Sequence, residues 1–379
     1  MIRIVVGALL LRLFSASMAF VMNVVIPAGP RASFTVLNHP DPFWDGFARY
    51  DSGWYYQIAR YGYDAGPAVM GGRSNIAFFP VFPLLMRLVR PLFGHGAWAM
   101  YAGGIVLAWG SFVLAMLVLY RLALLDLPPP RAALAVLLAA VFPFAFFYGV
   151  VYSESTYLLF TVLGFYLLRT RRWLTGGLAA GVAGATRVNG IMMWPALAWM
   201  VARQSIPTTR GRLLAGAALV LAASGFAAYN AYIFAASGQP LLWAVALQRW
   251  GYYVGGAPWI APARLLWRLT TDPYGYLTSD PMAPFETLNG LTAMVFVAAV
   301  PFVWRALGTS YALYMVANLW LPLSAGAFEG MGRYCAVLFP FFIWLAGVES
   351  TSVLALALVS FGMLYGVCLS LFATAHPMY

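Results

Sequence analysis

Residues 49–83, RYDSGWYYQIARYGYDAGPAVMGGRSNIAFFPVFP, crowd acids, arginines, aromatics and amides between two hydrophobic runs. Asp51 stands where an apolar segment has just ended, and a carboxylate held at a bilayer edge can take a proton from a hydroxyl. It is therefore a candidate general base. The plainer reading is an N-cap for SGWYYQIARYGY, because aspartate caps helices well, and the two roles are compatible. Asp41 and Asp45 are spaced four apart around Pro42, which fits loop and capping work better than a metal site. Asp64 in RYGYDAG reads as a turn residue.

Three further polar points interrupt apolar sequence. Glu154 in VYSES lies between two hydrophobic segments, where an ionisable side chain must face a cavity or a partner. Its plainer reading is a helix cap together with Ser153. Arg187 and Asn189 flank a tight hinge, Thr186-Arg187-Val188-Asn189-Gly190, in a strongly apolar third of the chain. A guanidinium matches phosphate oxygens with forked donors, and an asparagine can bind sugar hydroxyls or orient the arginine. A structural salt bridge from Arg187 to Glu154 is the competing reading. Arg333 in EGMGRY follows the same logic, with Gly330 and Gly332 permitting close backbone approach. Trp44, Trp54, Tyr55, Tyr56, Trp250, Tyr252 and Tyr253 can stack on sugar rings, although aromatic belts occur at every bilayer interface.

The elements that position these residues follow from composition. The 379 residues are 63% hydrophobic and 9% charged, with a mean hydropathy of +0.81, whereas soluble domains carry about 25% charged residues. This is the composition of a polytopic, all-α membrane protein forming one integral domain over residues 1–379. All 22 basic residues are arginine, which excludes lysine Schiff-base chemistry. The net charge of +11 resides largely in short loops, at Arg121, Arg131, Arg169, Arg171, Arg172, Arg203, Arg210, Arg212 and Arg305. That pattern marks cytoplasmic loops and makes nucleic acid a poor partner. Cys335 and Cys368 sit in apolar runs as packing residues. With His39, His95 and His376 scattered in sequence, no zinc site is assigned.

Apolar runs of roughly 20 residues predict about 11 crossings, with large external loops at about 27–96 and 237–285. Arg12 interrupts the first run, which favours a retained helix whose arginine snorkels or pairs internally. The amino terminus is then cytoplasmic and, for an odd number of spans, the carboxyl terminus external. AFFPVFPLLMRLVRPLF carries Arg87, Arg90 and three prolines, and suits an interfacial helix in the first loop. Two short apolar pieces, about 174–186 and 190–202, read as helices meeting at a cavity, since irregular backbone at depth needs protein or water to satisfy it. This topology puts Asp51, Glu154, Arg187, Asn189, Glu329 and Arg333 on one side, opposite the basic loops. No 20-to-50-residue repeat is visible, which counts against inverted-repeat transporters.

RYDSGWYYQIARYGY followed by SNIAFFPVFP resembles the first external loop of the GPI mannosyltransferase II (PIG-V-like) family. YSES, ATRVNG and GRYCAVLFPFF resemble further family elements in the same order. The resemblance implies a GT-C type membrane glycosyltransferase that takes a sugar from a polyprenyl-phosphate donor on the non-cytoplasmic face. The family's loop aspartate carries over to Asp51, preceded here by Tyr50 where tryptophan is common. The hinge element carries over to Arg187, Asn189 and Gly190, and the C-terminal arginine to Arg333. Together with Arg49, Trp54, Tyr55, Asn75 and Glu154, these form the expected substrate-binding set. The expected reaction is inverting transfer of mannose to a hydroxyl of a lipid-linked or glycan acceptor, without a metal or other cofactor. Alternatives are transfer of another sugar from the same donor type, transport of a lipid-linked sugar, and a structural scaffold. The expected location is a bacterial inner or plasma membrane, with a eukaryotic lumen left open.

Overall fold

In a computed structural model the described residues are 1–29, 41–64, 74–249 and 256–378. Among them the regular structure is helical, with no strand. The first loop follows α1 (Ile2–Val25) and contains α2 (Ser52–Tyr61) and α3 (Val81–Val89). Then come α4 (Ala97–Ala123), α5 (Pro129–Ala140), α6 (Glu154–Arg169), α7 (Trp173–Gly184), α8 (Trp194–Arg203) and α9 (Thr209–Ser237). The second loop holds α10 (Leu242–Arg249), α11 (Ile260–Thr271) and α12 (Pro273–Ser279). The chain ends with α13 (Ala283–Leu307), α14 (Thr309–Leu323), α15 (Met331–Ala336), α16 (Phe339–Gly347) and α17 (Thr351–Ala373).

Five helices among the described residues, α1, α4, α9, α13 and α17, are long and apolar enough to cross a membrane. They turn many large apolar side chains outward, such as Leu10, Val220, Val295 and Leu356, as lipid-facing walls do. The chain is an integral membrane protein. The count of about 11 crossings expected from apolar runs of roughly 20 residues is not reproduced as full-length helices. Several of those runs fold instead as short helices joined by buried turns.

Proline explains two of the breaks. The run expected to span 132–151 leaves α-helix after Ala140, just ahead of Pro143, and continues through a short 3-10 turn, Ala145–Gly149. Proline lacks an N–H and biases the preceding residue away from helix. Residues 142–153 are all buried, so their backbone polar groups need partners away from water. Val151 N–H donates to the Phe47 carbonyl at 2.9 Å, Trp109 Nε1 to Gly149 O at 3.0 Å and Ser52 Oγ to Val151 O at 3.1 Å. Arg12, 1% exposed, contributes here too. Its Nη1 lies 3.4 Å from Ala145 O, its Nη2 donates to the Tyr365 hydroxyl at 2.9 Å, and its guanidinium covers the Phe112 ring at 4.3 Å. The internal pairing expected of Arg12 is what holds this irregular floor.

The run near 332–348 breaks at Val337–Leu338, ahead of Pro340, into α15 and α16. Tyr148 donates to Ala336 O at 2.5 Å and Tyr314 to Val337 O at 3.2 Å, so the carbonyls released at the break are satisfied by side chains. The two short pieces around the hinge become α7 and α8, linked by a 3-10 segment, Val188–Met193. Gly190 is needed there, because a Cβ would collide with the Ala183 carbonyl oxygen.

In the first loop, α3 buries Phe82 and Met86 and exposes Leu84 and Leu88, an apolar outer face suited to the expected interfacial position. Asp41 Oδ1 accepts the Phe43 and Trp44 N–H groups, each at 2.9 Å, which is the capping role read from sequence. Cys335 and Cys368 are buried thiols.

Candidate active site

The breaks bring four charged side chains together. Asp51 sits at the start of α2, Glu154 at the start of α6, Arg187 after α7 and Arg333 in α15. Helices α6 and α7 are consecutive and packed together. Their site ends therefore lie opposite the ends that carry Arg169 and Arg172, as the alternation of polar and basic turns requires. At that other end Arg169 pairs with Asp126.

The site is an alternating row of charge. Arg187 Nη1 is 2.6 Å from Glu154 Oε1. Arg333 Nη1 is 3.8 Å from the same Glu154 oxygen and 2.6 Å from Asp51 Oδ2. Glu154 is fully buried, whereas the Asp51 side chain is 20% exposed. The inner pair is also supported by Ser153, whose Oγ lies 3.3 Å from Arg187 Nη1 and 2.9 Å from the Tyr55 hydroxyl. Burial works most strongly against the charge on Arg187, but the Glu154 carboxylate with the hydroxyls of Tyr334 and Tyr55 together outweigh it, and the guanidinium pKa is raised. The salt bridge weighed for Arg187 is thus present. Arg333 has a different setting, with its guanidinium carbon 5.2 Å from the Phe147 ring centre and 5.4 Å from that of Tyr152.

Local backbone aims Asp51. Tyr50 adopts φ +50°, a left-handed conformation that strains a residue with a bulky side chain. The Tyr152 hydroxyl brackets this residue, donating to Arg49 O at 3.3 Å and accepting from Asp51 N–H at 3.2 Å. Tyr50 is anchored by its own hydroxyl, which donates to His376 O at 2.9 Å. Asp51 occupies the N-cap position of α2, yet its side chain makes no capping hydrogen bond. Its carboxylate faces Arg333 instead. On the opposite wall Gly330, φ +72°, starts α15 in a conformation open to glycine. Gly332 N–H donates to Asn289 Oδ1 at 2.6 Å, fixing the turn that presents Arg333.

The remaining expected residues divide. Tyr55 reaches the site through Ser153, and Trp54 stacks on Phe78 with ring centres 6.0 Å apart. Asn189 is 1% exposed, and neither end of its amide has a hydrogen-bond partner among the described residues. Glu154 Oε2 is likewise without one. Two residues expected to bind substrate make hydrogen bonds away from the charged row. Arg49 is buried, with Nε donating to Ala373 O at 2.9 Å and Nη2 to Asn23 Oδ1 at 3.3 Å. Burial lowers its pKa, opposed by Asp45 and Tyr50. It ties the first loop to the end of α17. Asn75 is fully buried, and its amide joins Gly62 O and Asp64 N–H, both at 3.1 Å. It closes the loop after α2.

Glu329 is exposed. Trp250, Tyr252 and Tyr253 lie outside the described residues. Sequence reading did not single out Tyr152, Phe147, Tyr334 or Asn289. The first is the tyrosine of the YSES motif and Tyr334 lies within GRYCAVLFPFF beside Arg333, so membership of a motif was their available signal; Phe147 and Asn289 had none. Among the described residues no group of three or more His, Cys, Asp or Glu side chains is placed to share a metal ion.

A helical membrane bundle with broken helices around one polar site fits the GT-C architecture expected from the sequence. Across 95% of this chain and 62% of the other, the fold matches that of ArnT from Cupriavidus metallidurans, solved with undecaprenyl phosphate bound, with a TM-score of 0.52 at 14% identity. An Archaeoglobus fulgidus oligosaccharyltransferase, in complex with Zn and sulfate, aligns over 97% of this chain and 53% of its own with a TM-score of 0.49 at 14% identity. The chain therefore spans less than two thirds of the length of either. No curated protein matches it. The model of the mannosyltransferase (PIG-V) family matches residues 1–206, more than half of the chain, and the protein belongs to that family of glycosyltransferases.

Proposed function

We propose that the protein transfers mannose from a polyprenyl-phosphate donor to an acceptor hydroxyl, with Asp51 as the general base. The observation that carries this reading is the 2.6 Å pairing of Asp51 with Arg333, which sets a proton acceptor beside a cation able to hold a phosphate. The acceptor oxygen attacks the anomeric carbon as its proton passes to Asp51. The bond from that carbon to the phosphate oxygen breaks with inversion, and the lipid phosphate leaves as an anion stabilised by arginine. Family membership supports mannose, and the undecaprenyl phosphate bound by ArnT supports a lipid-phosphate donor. The same alternation of basic loops and polar turns supports an extracytoplasmic site.

Arginine supplies the positive charge at the leaving group, so the proposed step needs no metal. EDTA is expected to leave the rate unchanged, and activity lost to EDTA and restored by a divalent ion would refute that. The central test is transfer by purified Asp51→Asn in lipid nanodiscs. A rate equal to that of the unsubstituted protein would end the assignment of Asp51, and a panel of polyprenyl-phosphate sugars identifies the donor. Movement of lipid-linked sugar across the bilayer with no transfer would favour a transporter.

A further inference from the structure

We infer that Asp51 masks an anion site on Arg333, and that a lipid phosphate unmasks the carboxylate by taking its place. The inference rests on the reading of Asp51 as base and Arg333 as phosphate ligand, and adds the order in which the two act. Its basis is the inequality of the two ion pairs. Glu154 has no exposed side-chain surface, while Arg187 is 12% exposed and lies 5.3 Å from the Tyr334 ring centre. Taking Arg187 away would strand a buried carboxylate, a costly outcome, so this inner pair persists while ligands come and go. The outer pair is exchangeable, with Asp51 20% and Arg333 11% exposed.

The geometry says which partner moves. Arg333 is packed against Phe147 and Tyr152 and stands between two carboxylate oxygens, at 2.6 and 3.8 Å, so its guanidinium keeps its place. Asp51 makes no capping bond that would hold its side chain. The diester phosphate of a lipid-linked donor carries the same single charge as a carboxylate and presents two non-bridging oxygens that match the guanidinium fork. Arg333 N–H engages Asp51 Oδ2 at 2.6 Å, which occupies one of its lone pairs and holds the carboxylate against the guanidinium. Once phosphate occupies Arg333, Asp51 turns to the rim and becomes available to the acceptor. Donor binding then precedes deprotonation of the acceptor.

The test measures binding of undecaprenyl phosphate, which carries no sugar to transfer, to the full chain in nanodiscs of neutral lipid. Asp51→Asn and Asp51→Ala, which remove the competing charge, are expected to bind it roughly tenfold tighter. Asp51→Glu, which retains the charge, should not, and Arg333→Met should lose the binding. Unchanged or weaker binding by both neutral variants, each monodisperse and melting cooperatively, overturns the inference. Inorganic phosphate in the same assay separates the headgroup from the lipid. Tighter binding by Asp51→Asn of the lipid phosphate but not of the free ion supports the masked lipid site, and the same gain with the free ion supports exchange at the headgroup itself. Failure of the base assignment would appear differently, as unimpaired transfer by Asp51→Asn whatever its affinity.

Discussion

The inner and outer ion pairs of the site use the same chemistry at different depths. Glu154–Arg187 and Asp51–Arg333 both have a 2.6 Å contact, yet one carboxylate is sealed in protein and the other meets the rim. A sealed charge is kept because removing its partner leaves a desolvated ion, whereas a rim charge pays little for changing partners. The first pair is therefore suited to holding the fold at the site and the second to reaction. Depth, more than distance, separates the two roles.

Truncating each acid should produce opposite results. Glu154→Ala leaves Arg187 buried without its carboxylate, a loss of about 3–5 kcal/mol, and is expected to lower folded yield and unfolding temperature sharply. Asp51→Ala leaves Arg333 the Glu154 oxygen at 3.8 Å and should cost less stability than Glu154→Ala, while lowering transfer by roughly 10²–10⁴-fold. Thermal unfolding and transfer assays on both variants check the contrast. Equal losses of stability would erase the distinction. The double variant Glu154→Gln with Arg187→Met should recover part of the stability lost by Glu154→Ala, because no isolated charge remains.

How far these roles were visible in sequence depended on whether a residue's partner was local. Glu154, Arg187 and Arg333 each break an apolar run, Asp51 stands in the polar stretch of the first loop, and the positions of basic loops put all four at one end of the bundle. The polar hinge around Asn189 and a helix at α3 were also readable there. Arg49 and Asn75 look equally suited to substrate in the linear chain. Their partners, Ala373 for one and Gly62 with Asp64 for the other, are set by the folding of the loop and carry no motif. Where proline divided an apolar run, the expected span is not one continuous helix. The divided backbone stays buried because Arg12, Trp109, Tyr148 and Tyr314 supply hydrogen bonds from afar, and hydropathy does not register such donors.

Asn189 sharpens the comparison from the ligand side. Its buried amide has no partner among the described residues, and buried polar groups in folded proteins are nearly always paired. Under the proposed function a sugar hydroxyl completes it when the donor binds. Asn189→Ala is expected to raise the donor KM about tenfold, the value of roughly one hydrogen bond to a neutral group, and to leave the unfolding temperature unchanged or slightly higher. A substantial fall in unfolding temperature with an unchanged KM would make Asn189 a structural residue.

The smallest effect expected is at Tyr148, which never touches the charged row. Its hydroxyl donates to Ala336 O at the end of the short helix that carries Arg333, while Asn289 holds that helix at Gly332. Tyr148→Phe removes one donor and leaves a buried carbonyl wanting, at a cost of about 1–3 kcal/mol. The ring remains to pack against Phe112, so the loss is confined to the hydrogen bond. If the outer pair depends on how α15 is held, this variant should raise the donor KM two- to threefold, by the fraction of a kcal/mol that a small displacement of Arg333 represents. A variant that loses stability alone, with donor KM and kcat intact, would show that the Arg333 contact tolerates movement of its helix.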